Sequence, residues 1–363
     1  MAKKVRVGLI YGGKSGEHEV SLQTALAVMK AFNYDQYDII PFYITKQGKW
    51  HAGAPLTAPP EEVKQLQYEA SAAGGDLVPV LQSLQPGGGA AEGKALDVIF
   101  PLLHGTYGED GTIQGLLEMA DVPYVGAGVL ASAVGMDKAM MKKVFAHEGL
   151  PQCIYRHFNR TQWTKDPAFF IMEIEVSLGY PCFVKPANLG SSVGISKAKN
   201  REELTAAIEL ALRYDRKVIV EEFVDAREIE VSVLGNDEPR ASVPGEVITS
   251  SDFYDYDAKY VDGTSRMQIP ADIPADIAET VREMALRAYL AIDGSGLSRV
   301  DFFLRRSDNQ LLINEVNTMP GFTPFSMYPL MWKETGMPYS ELLDTLISLA
   351  IARHQEKQRL TYS

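Results

Sequence analysis

Cysteine is almost missing from this chain, with only Cys153 and Cys182 among 363 residues. Their spacing matches neither a CxxC pair nor a metal-ligand pattern, which excludes a disulfide scaffold or a cysteine metal centre and predicts free thiols in a reducing compartment. Long apolar runs are missing too. No stretch approaches the ~20 residues of a membrane span. The opening MAKKVRVGLIYGGKSGEHE is basic, but its apolar run stops within about five residues, too short for a signal peptide. Positive charge is scarce: 35 Lys and Arg face 47 Asp and Glu, a formal net charge of −12. That argues against nucleic acid or an anionic membrane as the main partner, while a few lysines in a cleft can still hold a polyphosphate. There is no internal repeat. A cytoplasmic protein is the expectation.

What is present suits an ordinary soluble protein, with 46% hydrophobic and 23% charged residues. The length suits roughly two or three domains, each able to bury its own core. Residues 5–11 read as a buried strand, 21–32 as a helix and 38–44 as a second strand. From about 52 to 93 the pattern loses regularity and ends in QPGGGAAEG, which reads as a peripheral insertion. The strand ALDVIFPLLHG, the loop GTYGEDG and a helix from 112 to 120 follow. Strands alternating with helices imply a small parallel sheet whose carboxyl-end loops face a ligand. A second unit then runs through the helix DKAMMKKVFAHEG, the strand PCFVKP, the loop NLGSSVG, the helix REELTAAIELALRYD and the strand KVIVEEFV. Beyond it lie REIEVSVLG, the irregular loop TSSDFYDYDAKYVDG, a long helix, a hairpin and a final amphipathic helix that packs for stability.

The hairpin, SRVDFFLRRSDNQLLINEVNTMPG, organises the chemistry. Centred near Asp308, it sets Asp301 opposite Glu315 and Arg299 opposite Asn317 on one face, with Val300, Phe302, Leu304, Leu312 and Val316 on the other. Facing carboxylates repel and need a compensating charge. Asp301, Glu315 and Asn317 offer only oxygen ligands, the inventory of a hard cation such as Mg²⁺. The alternative is an ion pair with Arg299 on a solvated face.

Other stretches carry weaker signals. GLIYGGKS fits the phosphate-loop pattern, but its first glycine, Gly8, lies inside an apolar strand and no second metal-binding element follows, so the pattern is coincidental. Its glycines instead allow a turn exposing Ser15 and Glu17; Glu17 can accept a substrate ammonium or simply favour a helix's first turn. Lys185, followed by Gly190, Ser191, Ser192 and Gly194, suits a flap folding backbone amides over phosphates, with Lys138 as a second cation; an ordinary turn is the alternative. Glu221, ending an apolar strand, can meet an adenine amino group and Glu228 ribose hydroxyls, unless these are solvated acids. The aromatic loop 253–260 reads as a lid, or as a loop folded on the core.

Taken together and in order, GGKSGEHEVSL, FPLLHGTYGEDG, MDK, FVKPANLGSSVG, IVEE, FYDYDAKY, SRVDFFL and NEVNTMPGFTPFSMYP resemble the D-alanine–D-alanine ligase family of ATP-grasp enzymes. Only the 52–93 insertion and the C-terminal tail fall outside the match. The resemblance implies an α/β protein with a three-domain ATP-grasp fold: an N-terminal α/β domain (1–127), a central lid-like domain (128–225) and a C-terminal catalytic domain (226–363). It implies ATP and two Mg²⁺, with Mn²⁺ as a substitute, held by Asp301, Glu315 and Asn317, with Glu315 bridging. Lys138, Lys185, Ser192 and Lys259 would serve the phosphates, Glu221, Phe223 and the Val224 backbone the adenine, and Glu228 the ribose. Glu17 would hold the ammonium of the first D-alanine, with His104 near its carboxylate. Ser191 and Tyr260 would link to Glu17, Arg299 and the Gly321 amide would form an oxyanion site, and Ser326 with the Met327 amide would take the second carboxylate. Relatives that make an ester with D-lactate carry His or Phe where Tyr260 stands, which favours D-alanine here. A homodimer through N-terminal domains is implied as well. An ATP sensor would need neither Glu17, Arg299 nor Ser326, and a phosphate-loop kinase would depend on Lys14 rather than Lys185.

Overall fold

The first apolar run forms β1 (Val5–Gly12), buried from Arg6 onward as a strand covered on both faces must be. It is flanked by β2 (Tyr37–Ile44) and β4 (Val98–Leu102), both parallel to it, in the order β3-β2-β1-β4. β3 (Trp50–Ala52) adds an antiparallel edge to the expected parallel sheet. Helix α1 (His18–Ala31) packs Leu22, Ala25 and Val28 with Val7 and Leu9, and α2 (Thr112–Met119) packs Ile113 and Leu117 with Ile10.

The computed structural model describes residues 3–68, 95–190, 193–248 and 266–361. Ser191, Ser192, Lys259 and Tyr260, the loop 253–260 and most of the 52–93 insertion lie outside the described residues. The start of that insertion is not peripheral, contrary to the sequence expectation. Leu66 is buried in the first core, and Tyr68 donates to the carbonyls of Pro41 (3.0 Å) and His51 (3.3 Å), because an aromatic side chain with a polar tip can bridge sheet and loop.

Gly8 sits within β1, where a Cβ would stand 2.7 Å from the Ile99 side chain, so this glycine serves strand packing rather than phosphate binding. Gly12 ends the strand at φ +91°, and a Cβ there would lie 2.2 Å from the Ile44 carbonyl oxygen. Gly12→Ala is therefore expected to cost about 3 kcal/mol or more. A melting temperature within a degree or two of the parent's would show that the turn relaxes.

A second sheet, ordered β5-β8-β6-β7, is antiparallel throughout: β5 (Tyr155–Asn159), β6 (Cys182–Pro186), β7 (Ser196–Ala198) and β8 (Lys217–Glu222). One face, with Cys182, Val184, Val218 and Val220, packs on α5 (Arg160–Lys165), α6 (Pro167–Ser177) and α7 (Arg201–Tyr214). Strand alternation leaves Tyr155, Phe183, Lys185 and Glu221 together on the other face.

The third sheet runs β12-β11-β9-β13-β14, with β10 (Arg240–Ala241) paired to β9 (Ala226–Gly235). Its remaining strands are β11 (Gly245–Ile248), β12 (Arg266–Gln268), β13 (Gly296–Arg305) and β14 (Leu311–Asn317). Helices α3 (Val129–Met136), α4 (Lys138–His147) and α8 (Ala275–Ala291) share its core through Ala131, Met141, Phe145, Val281 and Ala285. Residues 129–147, which the expected division gives to the central unit, thus pack on the third sheet. Helix α9 (Met327–Glu334) follows β14, and α10 (Tyr339–Lys357) packs Leu342, Leu346 and Ile347 into the first core, as its amphipathic pattern predicts. Arg353 of α10 donates to the carbonyls of Gly126 (2.5 Å) and Tyr124 (3.1 Å) and lies 4.5 Å over the Tyr124 ring. Arg353 also donates to the Ser295 hydroxyl just before β13, so the first unit and the third sheet meet at this side chain.

Candidate active site

The turn after β1 needs left-handed backbone at Gly12 and Gly13. It brings Ser15 Oγ to the His104 carbonyl (2.6 Å) and to the Glu17 amide (3.2 Å), joining the start of α1 to the loop after β4. Glu17 Oε2 lies so close to two glycines that a Cβ at Gly105 or Gly190 would stand 2.4 or 2.9 Å from it. Two distant segments therefore meet this carboxylate, the loop after β4 and the loop between β6 and β7.

His104 is buried beside Glu17. Its Nδ1 donates to the Met319 carbonyl (3.1 Å), which leaves Nε2 to accept from the Thr24 hydroxyl (3.2 Å). Burial lowers its pKa against the pull of Glu17, so the ring is neutral. His104 also lines the cavity that Glu17 borders, where the first substrate carboxylate is expected. Both ring nitrogens are occupied, and the side chain acts as a strut between α1 and the chain after β14.

Glu109 was overlooked in the sequence although it stands in GTYGEDG. Its Oε2 accepts from the Gly105 amide (2.7 Å), and burial together with the nearby Glu17 charge pushes its pKa up to about 8. The folded state thus keeps a proton that the unfolded chain loses near the ordinary value of 4.5. Glu109 consequently favours folding below the ordinary value, and this contribution is lost as pH rises toward 8. Glu109→Gln is expected to flatten the fall in melting temperature of the ligand-free protein across that window; parallel curves for variant and parent would refute the assignment.

The hairpin meets its expected register: Arg299 pairs with Asn317, and Asp301 with Glu315. A bulge past Asp301 then shifts the pairing to Phe302–Ile313, so Leu311 and Ile313 join the cluster of Val300, Phe302, Leu304 and Val316, while Leu312 is buried as expected but opposite Phe303 and outside that cluster. Arg299 forms a two-pronged pair with Asp301, Nε to Oδ1 and Nη2 to Oδ2, both 2.7 Å, and reaches Glu230 at 3.1 Å. Asn317 Nδ2 donates to Asp301 Oδ2 (3.0 Å). Burial opposes the charge on Arg299, but Asp301 and Glu230 more than offset this, so it stays cationic. The ion pair foreseen as an alternative is real, yet its face is not solvated: the two side chains are 17% and 14% exposed. Glu230, which lies opposite Asp301 on β9, was also missed; standing two residues after Glu228, it shares that residue's strand face.

Lys138 opens α4, whose first turn is capped by Asp137 accepting from Ala139 and Met140 amides (both 3.1 Å). Its Nζ donates to the Leu189 carbonyl (3.0 Å) and lies 3.6 Å from Glu315. Beyond β14, the Ser326 hydroxyl bonds the Thr323 amide (3.1 Å) and hydroxyl (2.8 Å), and a Cβ on Gly321 would lie 3.1 Å from Ser326 Oγ. Ser326 holds the N-cap position of α9 but makes no side-chain bond to its first turn, so the Met327 amide is a first-turn donor with no partner inside the helix. Glu17, Glu109, Lys138, Arg299, Glu315 and the Gly321–Met327 turn all line one cavity of about 660 Å³.

The remaining expected residues form a second group beside it. Lys185 pairs with Glu221, and Lys142 Nζ lies 2.6 Å from the other oxygen of the same carboxylate. Phe223 is exposed beside Phe183, their rings 6.2 Å apart, with Lys197 4.3 Å over the Phe223 ring. Val224 follows, half-buried, and Glu228 lies on β9 opposite Val247 and Phe303. Glu222 accepts from the Ile154 amide (2.8 Å) and is thereby given a structural use.

Whether a hard cation fits turns on the donor set. Among the described residues no group of three His, Cys, Asp or Glu is arranged for a metal. Two carboxylates and an amide oxygen nevertheless share this sheet face, the two Asp301 oxygens being held by Arg299. Asn317 turns Nδ2 to Asp301, leaving its Oδ1 available, and Glu315 borders the cavity. An oxygen-only partial shell completed by waters and phosphates is what Mg²⁺ takes, so the residues fit.

Comparison with known proteins agrees with this geometry. The family described as "D-ala D-ala ligase N-terminus" matches residues 6–127, and "D-ala D-ala ligase C-terminus" matches residues 144–348. The chain is 56% identical over 360 residues to the D-alanine–D-alanine ligase of Bacillus licheniformis, covering 99% of each. It is 55% identical over 363 residues to that of Geobacillus thermodenitrificans, covering 99% of each. Among solved structures, the D-alanine–D-alanine ligase of Coxiella burnetii superposes with a TM-score of 0.81 at 33% identity, covering 99% of this chain and 97% of that one. A D-Ala:D-Ser ligase of Enterococcus faecalis gives 0.82 at 38% identity, covering 96% and 100%. With this fold, this coverage and these side chains, the chain belongs to the D-alanine–D-alanine ligase family of ATP-grasp enzymes.

Proposed function

We propose that this protein joins two molecules of D-alanine into D-alanyl-D-alanine, releasing ADP and phosphate by way of D-alanyl phosphate, and so supplies a peptidoglycan precursor. The observation that carries the reading is the shared cavity: Glu17, the Arg299 cluster and the Ser326 turn stand around one space sized for two small amino acids beside a phosphate-binding group. Glu17 takes the first ammonium. The first carboxylate attacks the γ-phosphate of ATP, and Lys138, Lys185 and Lys259 offset the charge of two anions brought together. Ser326 and the Met327 amide hold the second D-alanine by its carboxylate, so that its amine attacks the acyl phosphate while Arg299 and the Gly321 amide face the oxygen where charge grows. Glu221 and the Val224 backbone meet the adenine beside Phe223, and Glu228 meets the ribose. Asp301, Glu315 and Asn317 would hold Mg²⁺, which supplies charge neutralisation on the phosphates. Ser192 serves the phosphates with the lysines, and Ser191 and Tyr260 link to Glu17 and close the loop that keeps water from the acyl phosphate.

The reading extends to a homodimer in the cytoplasm, where a reducing milieu suits two buried free cysteines. Among the described residues no helix is long and apolar enough to cross a membrane. The test is ADP release from Mg²⁺ATP with and without D-alanine, with mass spectrometry of the product and D-serine and D-lactate as competitors. D-alanine-dependent ADP release with the dipeptide as main product is expected. ADP release that ignores D-alanine, or a phosphorylated product without dipeptide, would overturn the assignment.

A further inference from the structure

One buried cation near this site has no part in the chemistry above. Lys142 lies one helical turn after Lys138 on α4, so both side chains leave the same face of the helix. They reach different targets: Lys138 approaches Glu315, while Lys142 approaches Glu221 at 2.6 Å. Lys142 is 2% exposed and Glu221 3%, and the Lys142 ammonium stands 5.7 Å from the centre of the Tyr155 ring. Tyr155 is directly opposite Glu221 on the neighbouring strand. Burying a lysine this deeply is costly unless it is paired, so the helix, the strand and the carboxylate form one unit.

Glu221 therefore faces two cations, Lys142 and Lys185, one on each oxygen. For a nucleotide site the redundancy has a consequence. A lysine drawn toward phosphates loosens its hold on Glu221, and a buried carboxylate left alone takes up a proton and ceases to be a pure acceptor. With Lys142 fixed behind it, Glu221 keeps a cationic partner whatever Lys185 does. An ionised carboxylate accepts from an exocyclic amino group and repels a carbonyl oxygen at the same ring position.

We propose that Lys142 is a positioning residue for base recognition: it holds the Glu221 carboxylate as an acceptor while Lys185 engages the phosphates, giving the site its preference for 6-aminopurine over 6-oxopurine nucleotides. The inference rests on the reading of Glu221 as the adenine contact. It adds a residue and a selectivity mechanism to it.

The test uses the full-length enzyme with Mg²⁺ATP and Mg²⁺ITP, following ADP and IDP release with D-alanine present. Lys142→Met is expected to raise the KM for ATP about tenfold, as loss of a charge-assisted hydrogen bond does, with a smaller change in kcat and little change in the KM for ITP. Lys142→Arg keeps the cation and is expected to retain most of the ATP preference. An ATP-to-ITP ratio of kcat/KM unchanged in Lys142→Met, or equal rises in both KM values, would overturn the proposal and leave Lys142 a packing residue. If Lys142→Met does not fold, Lys142→Gln, of similar volume but uncharged, carries the same comparison with the same expected and contrary results. Glu221→Gln separates the two layers. Loss of the ATP preference there supports the adenine contact, whereas its retention removes that contact and the proposal with it.

Discussion

Arg299→Met is expected to lower kcat for dipeptide formation by about 10²–10³ and to destabilise the fold by about 3 kcal/mol. The two effects share one cause. In the folded chain Arg299 sits between Asp301, at 2.7 Å through two nitrogens, and Glu230 at 3.1 Å, and these two acids are directly opposite each other on β13 and β9. Removing the guanidinium leaves like charges facing across a buried strand pair. It also removes the donor that borders the cavity near Gly321. Arg299→Lys restores a charge without the planar fork, so it is expected to recover most of the stability and little of the rate. Melting curves and steady-state kinetics on the three proteins check this; a methionine variant within tenfold of the parent kcat would remove Arg299 from the oxyanion site.

Glu315→Gln is expected to lose about three orders of magnitude in Mg²⁺-dependent ADP formation, the scale of several kcal/mol of lost charge stabilisation. Its melting temperature should be unchanged or higher. Glu315 stands opposite Asp301 in the register, so neutralising it relieves repulsion between two carboxylates, at the cost of a 3.6 Å contact with Lys138. A residue kept for stability behaves the opposite way, losing melting temperature along with any rate. Chelation of Mg²⁺ should abolish activity in the parent and Mg²⁺ restore it. A glutamine variant that keeps its rate while melting lower would assign Glu315 to structure and remove it from the cation site.

Much of this architecture is written in local pattern. The parallel arrangement of β1, β2 and β4, the alternation along the hairpin and the pairing of Asp301 with Glu315 follow from periodicity and turn chemistry, which act over a few residues. The bulge after Asp301 does not, because an extra residue is tolerated or rejected by the neighbouring strand and core, and the letters around Asn314 are silent on it. For the same reason the start of the 52–93 segment reads as irregular yet supplies Leu66 to a core built from distant residues.

The site divides along the same line. Its ordered motifs are sufficient to name a family, a substrate class and a set of polar side chains, since those depend on which residues the chain contains and in what sequence. The fate of each charge was settled only in three dimensions. Glu230, Glu109 and Lys142 look like solvated acids and a surface lysine in the sequence, and nothing in the letters shows which atoms hold His104. Burial between strands and helices that are remote along the chain turns the first three into paired or proton-holding groups and occupies both nitrogens of the fourth. The chain alone determined what chemistry is available. Desolvation and neighbouring charge, which exist only once distant segments meet, decided which atoms are left to perform it.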